Sequence, residues 1–209
     1  MTEKKVPTVD PETRGLNYTS VSAIAKFDPE QEGGCNARWA GRYILGWQEP
    51  QKGSQELGTK IHAREEHWAK TGEDVLGPIE RAGKHLLLSP NPRLLAEWGL
   101  NDKPRPPDVN GKAVNHFPPH ESLLFADGVP LIGFMDRVNF SGEYIDENGQ
   151  LLQDPGSVEI EDLKTSGNVK KWAKTGEQLL KTTQMTGYAA WAAVKYPGAT
   201  KIRLSHTYV

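Results

Sequence analysis

The chain has 209 residues, a formal net charge of −2 and an apolar content of 36%, values typical of a soluble globular protein with a buried core. No apolar run approaches the ~18 residues of a membrane span, and the N-terminal segment lacks the apolar stretch of a secretory signal. The single cysteine, Cys35, excludes an internal disulfide and any four-cysteine zinc or iron–sulfur site. We therefore expect an intracellular protein with no membrane partner.

The first part of the chain predicts a tail followed by helices. Residues 1–18 are polar and without periodicity, which predicts a flexible N-terminal tail. Two short amphipathic helices are expected over residues 20–27 and 36–47, as a helical embellishment. A longer helix is expected over residues 53–70, where apolar residues recur at helical intervals. Residues 74–88 predict a further helix that begins with an acidic cap.

The middle of the chain is rich in proline. Seven prolines lie between residues 89 and 119 and interrupt any regular pattern. The sequence predicts an irregular insertion over residues 89–119, with one short helix near Arg93 to Trp98.

The remainder of the chain predicts a sheet with one covering helix. Strands are expected over residues 122–126, 130–140, 158–165 and 201–209, and a long helix over 177–196 that ends at Pro197-Gly198. An Asp-Gly turn joins the first two strands, and residues 145–156 form a second connection. The order of helix, three strands, helix and strand predicts one α/β domain over residues 19–209, with a central mixed sheet flanked by helices.

Asp136 is an acidic residue in an otherwise apolar strand. Side chains alternate along a strand, so Asp136 shares a face with Ile132, Phe134, Val138 and Phe140. A carboxylate in such a position is costly to bury unless a positive group meets it. A metal ion or a structural salt bridge would satisfy it, and this segment alone leaves both open.

Asp162 and Lys164 project from the same side of the next strand, roughly 7 Å apart at ~3.3 Å per residue. A lysine at that distance can stabilise charge beside a metal-bound carboxylate without occupying the position of the metal. An ordinary cross-strand ion pair explains an isolated Asp-x-Lys equally well.

Gln184 and Tyr188 lie four residues apart and therefore on one helix face. With Lys181 and Trp191 they form a polar stripe that suits a nucleic-acid strand, although such a face can also simply meet water. Five lysines and one acid, Glu177, lie between positions 164 and 181.

His62 lies at the edge of the apolar stripe of the predicted 53–70 helix, one turn after Gly58. The glycine would let the helix approach another backbone closely, and the histidine could be a neutral imidazole ligand or a structural residue. The other histidines have no partner at metal-ligand spacing.

These residues form four motifs in order along the chain. The motifs are Gly58-x-x-x-His62, Gly133-x-x-Asp136, Asp162-x-Lys164-Thr165 and Gln184-x-x-x-Tyr188. Together they resemble the successive motifs of the PD-(D/E)XK nuclease superfamily, and most of all its RecB-like exonuclease branch. The resemblance spans roughly Ser20 to Tyr208 and implies a restriction-endonuclease-like core.

The resemblance also implies roles for individual residues. By this resemblance, the metal ligands would be His62, Asp136, Asp162 and the backbone carbonyl of Leu163. Its catalytic residues would be Asp136, Asp162, Lys164, Gln184 and Tyr188. Residues expected to contact DNA are Thr165, Lys170, Lys171, Lys181, Gln184, Tyr188 and Trp191.

A site with two carboxylates, a carbonyl and one imidazole suits Mg²⁺ or Mn²⁺. Many members of the branch carry an iron–sulfur cluster on four cysteines, and this chain has only Cys35, so we expect no cluster. The expectation is a Mg²⁺- or Mn²⁺-dependent deoxyribonuclease, an exonuclease by resemblance, acting in DNA repair, recombination or phage DNA processing. DNA is the expected partner, a helicase or recombination protein is a candidate partner, and the cytoplasm of a bacterial or phage-infected cell is the expected location.

Three alternatives stay open at this point. The chain could be a structure-specific endonuclease on the same fold, a DNA-binding subunit with an idle site, or the nuclease part of a larger machine.

Overall fold

A computed structural model describes residues 9–10, 15–27, 29, 34–47, 53–106 and 117–209, in which helices flank mixed β-sheets. The helices are α1 (Val21–Phe27), α2 (Asn36–Tyr43), α3 (Gly53–Thr71), α4 (Pro78–Gly83), α5 (Val169–Trp172), α6 (Gly176–Leu180) and α7 (Thr183–Lys195). The strands are β1 (Thr19–Ser20), β2 (Leu94–Gly99), β3 (Phe125–Ala126), β4 (Val129–Ile132), β5 (Phe134–Asn139), β6 (Glu143–Ile145), β7 (Leu151–Gln153), β8 (Ser157–Lys164) and β9 (Lys201–Tyr208). Parts of the predicted tail and insertion, residues 1–8, 11–14 and 107–116, lie outside the described residues.

A four-stranded sheet in the order β2-β5-β8-β9 forms the centre of the fold. β5 runs antiparallel to β2 and β8, whereas β9 is parallel to β8, so the predicted mixed sheet is confirmed. α7 contributes Met185 and Trp191 to the apolar cluster on one face, together with Ile160 of β8. On the other face, Trp68 of α3 clusters with Leu163. β8 is therefore buried on both faces up to its last residue.

The prediction of a short helix near Arg93 to Trp98 is wrong, because Leu94–Gly99 forms strand β2. β2 pairs with β5 from Leu94, opposite Asn139, to Gly99, opposite Phe134. A six-residue apolar segment fits a strand or a helix equally well by its own sequence, and pairing with β5 decides between them. The predicted insertion thus contains an edge strand of the central sheet.

Two small sheets complete the strand content of the described residues: β1-β4-β3 and the β6-β7 hairpin. Residues 130–140 do not form one continuous strand, because Gly133 has a φ of +151° and separates β4 from β5. The first predicted strand is reduced to Phe125–Ala126, and the predicted connection at 145–156 includes part of the β6-β7 hairpin.

The predicted helices at the N-terminal end are confirmed with shifted bounds, and α1 adds Val21 to the main core cluster. The helix predicted over 74–88 begins only at Pro78, a residue favoured in the first turn of a helix. The helix predicted over 177–196 is divided in two, because the Thr182 side chain accepts the Met185 N–H and starts α7. α3 has 19 residues, and among the described residues no helix is both long enough and apolar enough to cross a membrane.

Candidate metal centre and active site

The predicted site residues meet where β5 and β8 separate. Backbone pairing between these strands ends at Arg137 and Glu161. Beyond this point the Asp136 carboxylate fills the gap, and its Oδ2 accepts the Leu163 N–H at 2.8 Å. The N–H and C=O of one strand residue point to the same side, so the Leu163 carbonyl also faces this gap.

α3, which packs against β2, brings His62 to Asp136. The Nδ1 atom of His62 lies 3.6 Å from Oδ1 of Asp136. Burial by itself lowers the pKa of His62, but the neighbouring carboxylates, Asp136 first, outweigh it and raise the pKa above its ordinary value. A Cβ at Gly58 would lie 2.9 Å from Oγ1 of Thr165, so the glycine allows the close approach of α3.

Glu97 belongs to the same group, and the sequence prediction missed it. One ligand atom from each of His62, Glu97 and Asp136 lies within 4.8 Å of the others. The Oε2 atom of Glu97 accepts a hydrogen bond from Arg105 Nη1 at 3.0 Å. Burial, reinforced by the charge of Asp136, raises the pKa of Glu97 to about 7. These three residues could hold a metal ion.

The backbone of Glu97 is unusual. Its φ is +50°, and the pairing of β2 with β5 passes from Ala96 to Trp98 without it. Such conformations in non-glycine residues persist where the surrounding structure enforces them, often at functional sites. The signal available in the sequence was the same as for Asp136, an acid within an apolar strand, but it depended on recognising β2 as a strand.

Asp162 is buried beside this group and lies outside it. Its Oδ1 accepts the Gln184 amide at 2.8 Å, its Oδ2 forms an ion pair with Lys164, and His206 Nε2 lies 3.4 Å from Oδ2. Burial raises the pKa of Asp162 to about 6, with the charge of Asp136 adding to the effect and Lys164 opposing it. Of the predicted side-chain ligands, the structure therefore groups His62 and Asp136 with Glu97, whereas Asp162 mainly holds Lys164 and Gln184.

Gln184 and Tyr188 connect α7 to the sheet at the site. Gln184 Nε2 also donates to Tyr188 Oη at 2.9 Å, and Tyr188 Oη donates to the Phe134 carbonyl at 3.1 Å. Burial raises the pKa of Tyr188 well above its ordinary value, so the hydroxyl stays a neutral donor. These contacts hold the Gln184 and Tyr188 side chains against β5 and β8.

The predicted orientation of α7 is wrong, and Trp191 is not available to DNA. Trp191 is 1% exposed and packs edge-on against Tyr196 at 5.7 Å between ring centroids, whereas the apolar Val194 of the same helix is 60% exposed. Gln184 and Tyr188 form hydrogen bonds with each other and with residues of the sheet, so both polar side chains can face inward. Trp191 lies on the same helix face and is therefore buried with them.

Tyr188, which is 3% exposed, is also not available to DNA, whereas the other residues predicted to contact DNA are at least partly exposed. Lys170 and Lys171 are exposed on α5, and Thr165 lines the cleft described below. Lys181 is exposed as well, but its Nζ lies 2.6 Å from Glu177 one helical turn away.

A cleft of about 1400 Å³ opens over His62, Glu97 and Asp136. One face of α3 forms a long wall, and Ser20, Arg105 and Thr165 also line it. Gln184 and Tyr188 also line the cleft. The volume exceeds the ≈300–1,000 Å³ of ordinary small-molecule pockets, which favours an extended ligand.

No protein-family model, no curated protein and no solved structure matches the chain. The likeness of the four motifs to the nuclease superfamily therefore stays a prediction, and inference about function depends on the geometry of the site.

Proposed function

We propose that the chain is a divalent-metal-dependent deoxyribonuclease with a restriction-endonuclease-like core of the RecB-like type. The observation that carries this proposal is the convergence of ligand atoms of His62, Glu97 and Asp136 within 4.8 Å of one another, in the lining of a large cleft. Lys164 and Asp162 lie beside them at the same end of β8.

The donor set fits a hard divalent cation. Two carboxylates and an imidazole lie within the reach of one ion, and the backbone carbonyl of Leu163 faces the same gap. The negative charge of Asp136 raises the pKa of both His62 and Glu97, and a cation bound among these groups would offset that charge. A mostly oxygen donor set favours Mg²⁺ or Mn²⁺. Such an ion, when bound, lowers the pKa of a coordinated water and neutralises phosphate charge.

The side chain of Lys164 is 36% exposed and held by an ion pair with Asp162. Its ammonium can therefore reach a phosphate while keeping one fixed anchor. Gln184 fixes the other oxygen of the Asp162 carboxylate, so the lysine is positioned before a substrate arrives. Positive charge held in place in this way stabilises the negative charge that develops in phosphodiester cleavage.

The size of the cleft supports a polymeric substrate. Digestion from a DNA end, in repair, recombination or phage DNA processing, is the activity that the four motifs favour, with a helicase or recombination protein as a candidate partner. We infer exonuclease rather than endonuclease action from the motifs alone.

The test is digestion of end-labelled linear DNA, single- and double-stranded, with Mg²⁺, with Mn²⁺ and with EDTA. The wild type is expected to shorten the DNA from an end with either metal and to leave it intact in EDTA. Asp162→Ala and Lys164→Ala are expected to lose cleavage while circular dichroism and thermal unfolding show a folded protein. Lys201→Ala is the matched control, because Lys201 lies at the opposite end of the β8-β9 pair from Lys164. This variant should digest DNA normally.

Three other outcomes would overturn the proposal or a part of it. Robust digestion by Asp162→Ala or Lys164→Ala would refute the assigned mechanism. Binding in a gel shift without cleavage under any divalent ion would indicate a DNA-binding subunit with an idle site. Nicking of a closed circular single strand would indicate an endonuclease, because an exonuclease needs an end.

A further inference from the structure

We propose that α5 forms a platform for an unpaired DNA strand on its way to the cleft, with Trp172 stacking on a base and Lys170 and Lys171 holding phosphates. This inference depends on the proposed nuclease function and specifies its substrate as single-stranded DNA or a single-stranded end.

The platform is attached next to Lys164. Tyr208 is the register partner of Lys164 at the end of the β8-β9 pair, and its hydroxyl donates to the Trp172 carbonyl at 2.9 Å. β9 is two strand spacings from β5, and Tyr208 lies two residues beyond His206, the register partner of Asp162, so roughly 12 Å separates the backbone of Tyr208 from that of Asp136. A strand bound on α5 therefore lies close to the catalytic end of the sheet.

The chemistry of α5 suits stacking. Trp172 is 45% exposed, and the Nζ of Lys171 lies 4.7 Å from its ring centroid. Tryptophan faces stack on bases. The Lys171 ammonium lies over one face of the Trp172 ring and adds positive charge next to the stacking surface. The side chain of Asn168 accepts the Lys171 N–H at 3.1 Å and caps the helix, so the platform is formed before binding.

The charge of this segment is complementary to a phosphate backbone. No acidic residue occurs between Asp162 and Glu177 in the sequence. Glu177 itself is paired with Lys181 by a 2.6 Å contact. Lys170 and Lys171 thus present positive charge beside an exposed aromatic ring, the combination that non-specific single-strand binders use.

An unpaired strand fits better than a duplex. The faces of bases inside a duplex are covered by their neighbours, so a side chain can stack on them only where the strand is open. An exposed tryptophan therefore selects single strands over duplexes, whatever the base sequence.

The experiment is fluorescence anisotropy with a labelled oligothymidylate and with a duplex of equal length, with Ca²⁺ replacing Mg²⁺. The wild type is expected to prefer the single strand. Trp172→Ala should weaken that binding about tenfold, equivalent to about 1.4 kcal/mol, and Trp172→Phe should retain most of it. Trp47→Ala is the matched control, because Trp47 is 64% exposed after α2 and should not affect binding.

A salt series tests the lysines. For single strands each phosphate contact contributes about 0.7 to the slope of log K against log salt concentration. Replacing both Lys170 and Lys171 by alanine should therefore lower the slope by about 1.4.

Three results would overturn the platform: no binding of the oligothymidylate, a preference for duplex, or Trp172→Ala binding as tightly as wild type. DNA digestion assays distinguish this failure from failure of the nuclease proposal. If the wild type digests DNA normally and the Trp172→Ala variant binds the oligothymidylate as tightly as the wild type, only the platform is refuted. If the wild type binds the oligothymidylate as expected but does not digest DNA, the nuclease proposal is refuted and the platform stands.

Discussion

Glu159 gives a prediction that tests the buried polar face of β8. Its side chain is almost fully buried, Oε1 accepts the Ser205 hydroxyl at 3.0 Å, and Oε2 has no hydrogen-bond partner among the described residues. Burial, reinforced by the charge of Glu161, raises its pKa from about 4.5 to about 8. Glu159 is therefore protonated in the native protein at neutral pH.

The sign of the effect on stability follows from proton binding. Between pH 4.5 and about 8 the folded protein keeps a proton on Glu159 that the unfolded chain has released. The free energy of unfolding therefore falls as pH rises through this window. The stability that the protonated Glu159 contributes is fully present below about pH 4.5 and lost above about pH 8. The separation of the two pKa values sets an upper limit of roughly 5 kcal/mol on this loss.

Glu159→Gln keeps the size and the acceptor for Ser205 but cannot ionise. Urea unfolding across this pH range should show a flatter dependence for the variant than for wild type, by up to roughly 5 kcal/mol. Above pH 8 the variant should be the more stable protein. Glu177→Gln, which changes an exposed carboxylate, is the control and should keep the slope of the wild type. Equal slopes for wild type and Glu159→Gln would refute the reasoning.

Three further substitutions test other contacts. Arg137→Met removes a buried guanidinium whose Nη1 lies 3.4 Å from Glu161 and leaves that carboxylate without its ion-pair partner. Urea unfolding should show a free energy of unfolding lower by about 3–5 kcal/mol, and a change below about 1 kcal/mol would contradict a structural role for the pair. Tyr188→Phe removes the hydroxyl that joins α7 to β5, and should reduce the rate of DNA cleavage about tenfold at a stability loss of about 1 kcal/mol; an unchanged cleavage rate would show that the brace is dispensable. Gly58→Ala should destabilise by about 1 kcal/mol, because crowding against Thr165 outweighs the gain in helix propensity; in a Thr165→Ala background the same change should stabilise, and destabilisation there would contradict the contact.

The residues that strand alternation and chain order define were predictable from the sequence. Asp162 and Lys164 share a face of β8, and Asp136 meets the same end of the sheet from β5. Each of these strands has a strong enough apolar pattern to be recognised alone, whereas the expectation that their acids meet at one site depended on the resemblance of the four motifs.

Glu97 could not be predicted in the same way. The six residues of β2 fit a strand or a helix equally well by their own sequence, and pairing with β5 decides between them. The φ of +50° at Glu97 is likewise imposed by the fold around it, together with the contacts of Arg105 to its carbonyl and carboxylate. A ligand positioned by tertiary contacts leaves little trace in a single sequence.

The orientation of α7 was predicted incorrectly for a different reason. Counting Tyr188, Gln184 and Trp191 as a polar face ignores that a phenol or an amide can be buried once its hydrogen bonds are satisfied. The position of His206 was also not predictable from the sequence, because the pairing of β9 with β8 brings its Nε2 within 3.4 Å of Asp162 Oδ2.

The claim that His62, Glu97 and Asp136 hold one divalent cation can be tested by locating the ion itself. Fe²⁺ substituted for Mg²⁺, with ascorbate and hydrogen peroxide, generates hydroxyl radicals that cut the polypeptide beside the bound ion. Mass spectrometry of the fragments should show cuts near residues 62, 97 and 136, suppressed by excess Mg²⁺ or Mn²⁺ and absent in Asp136→Asn. Cuts confined to other segments, or cuts near these residues that persist in Asp136→Asn, would contradict a cation site at this position.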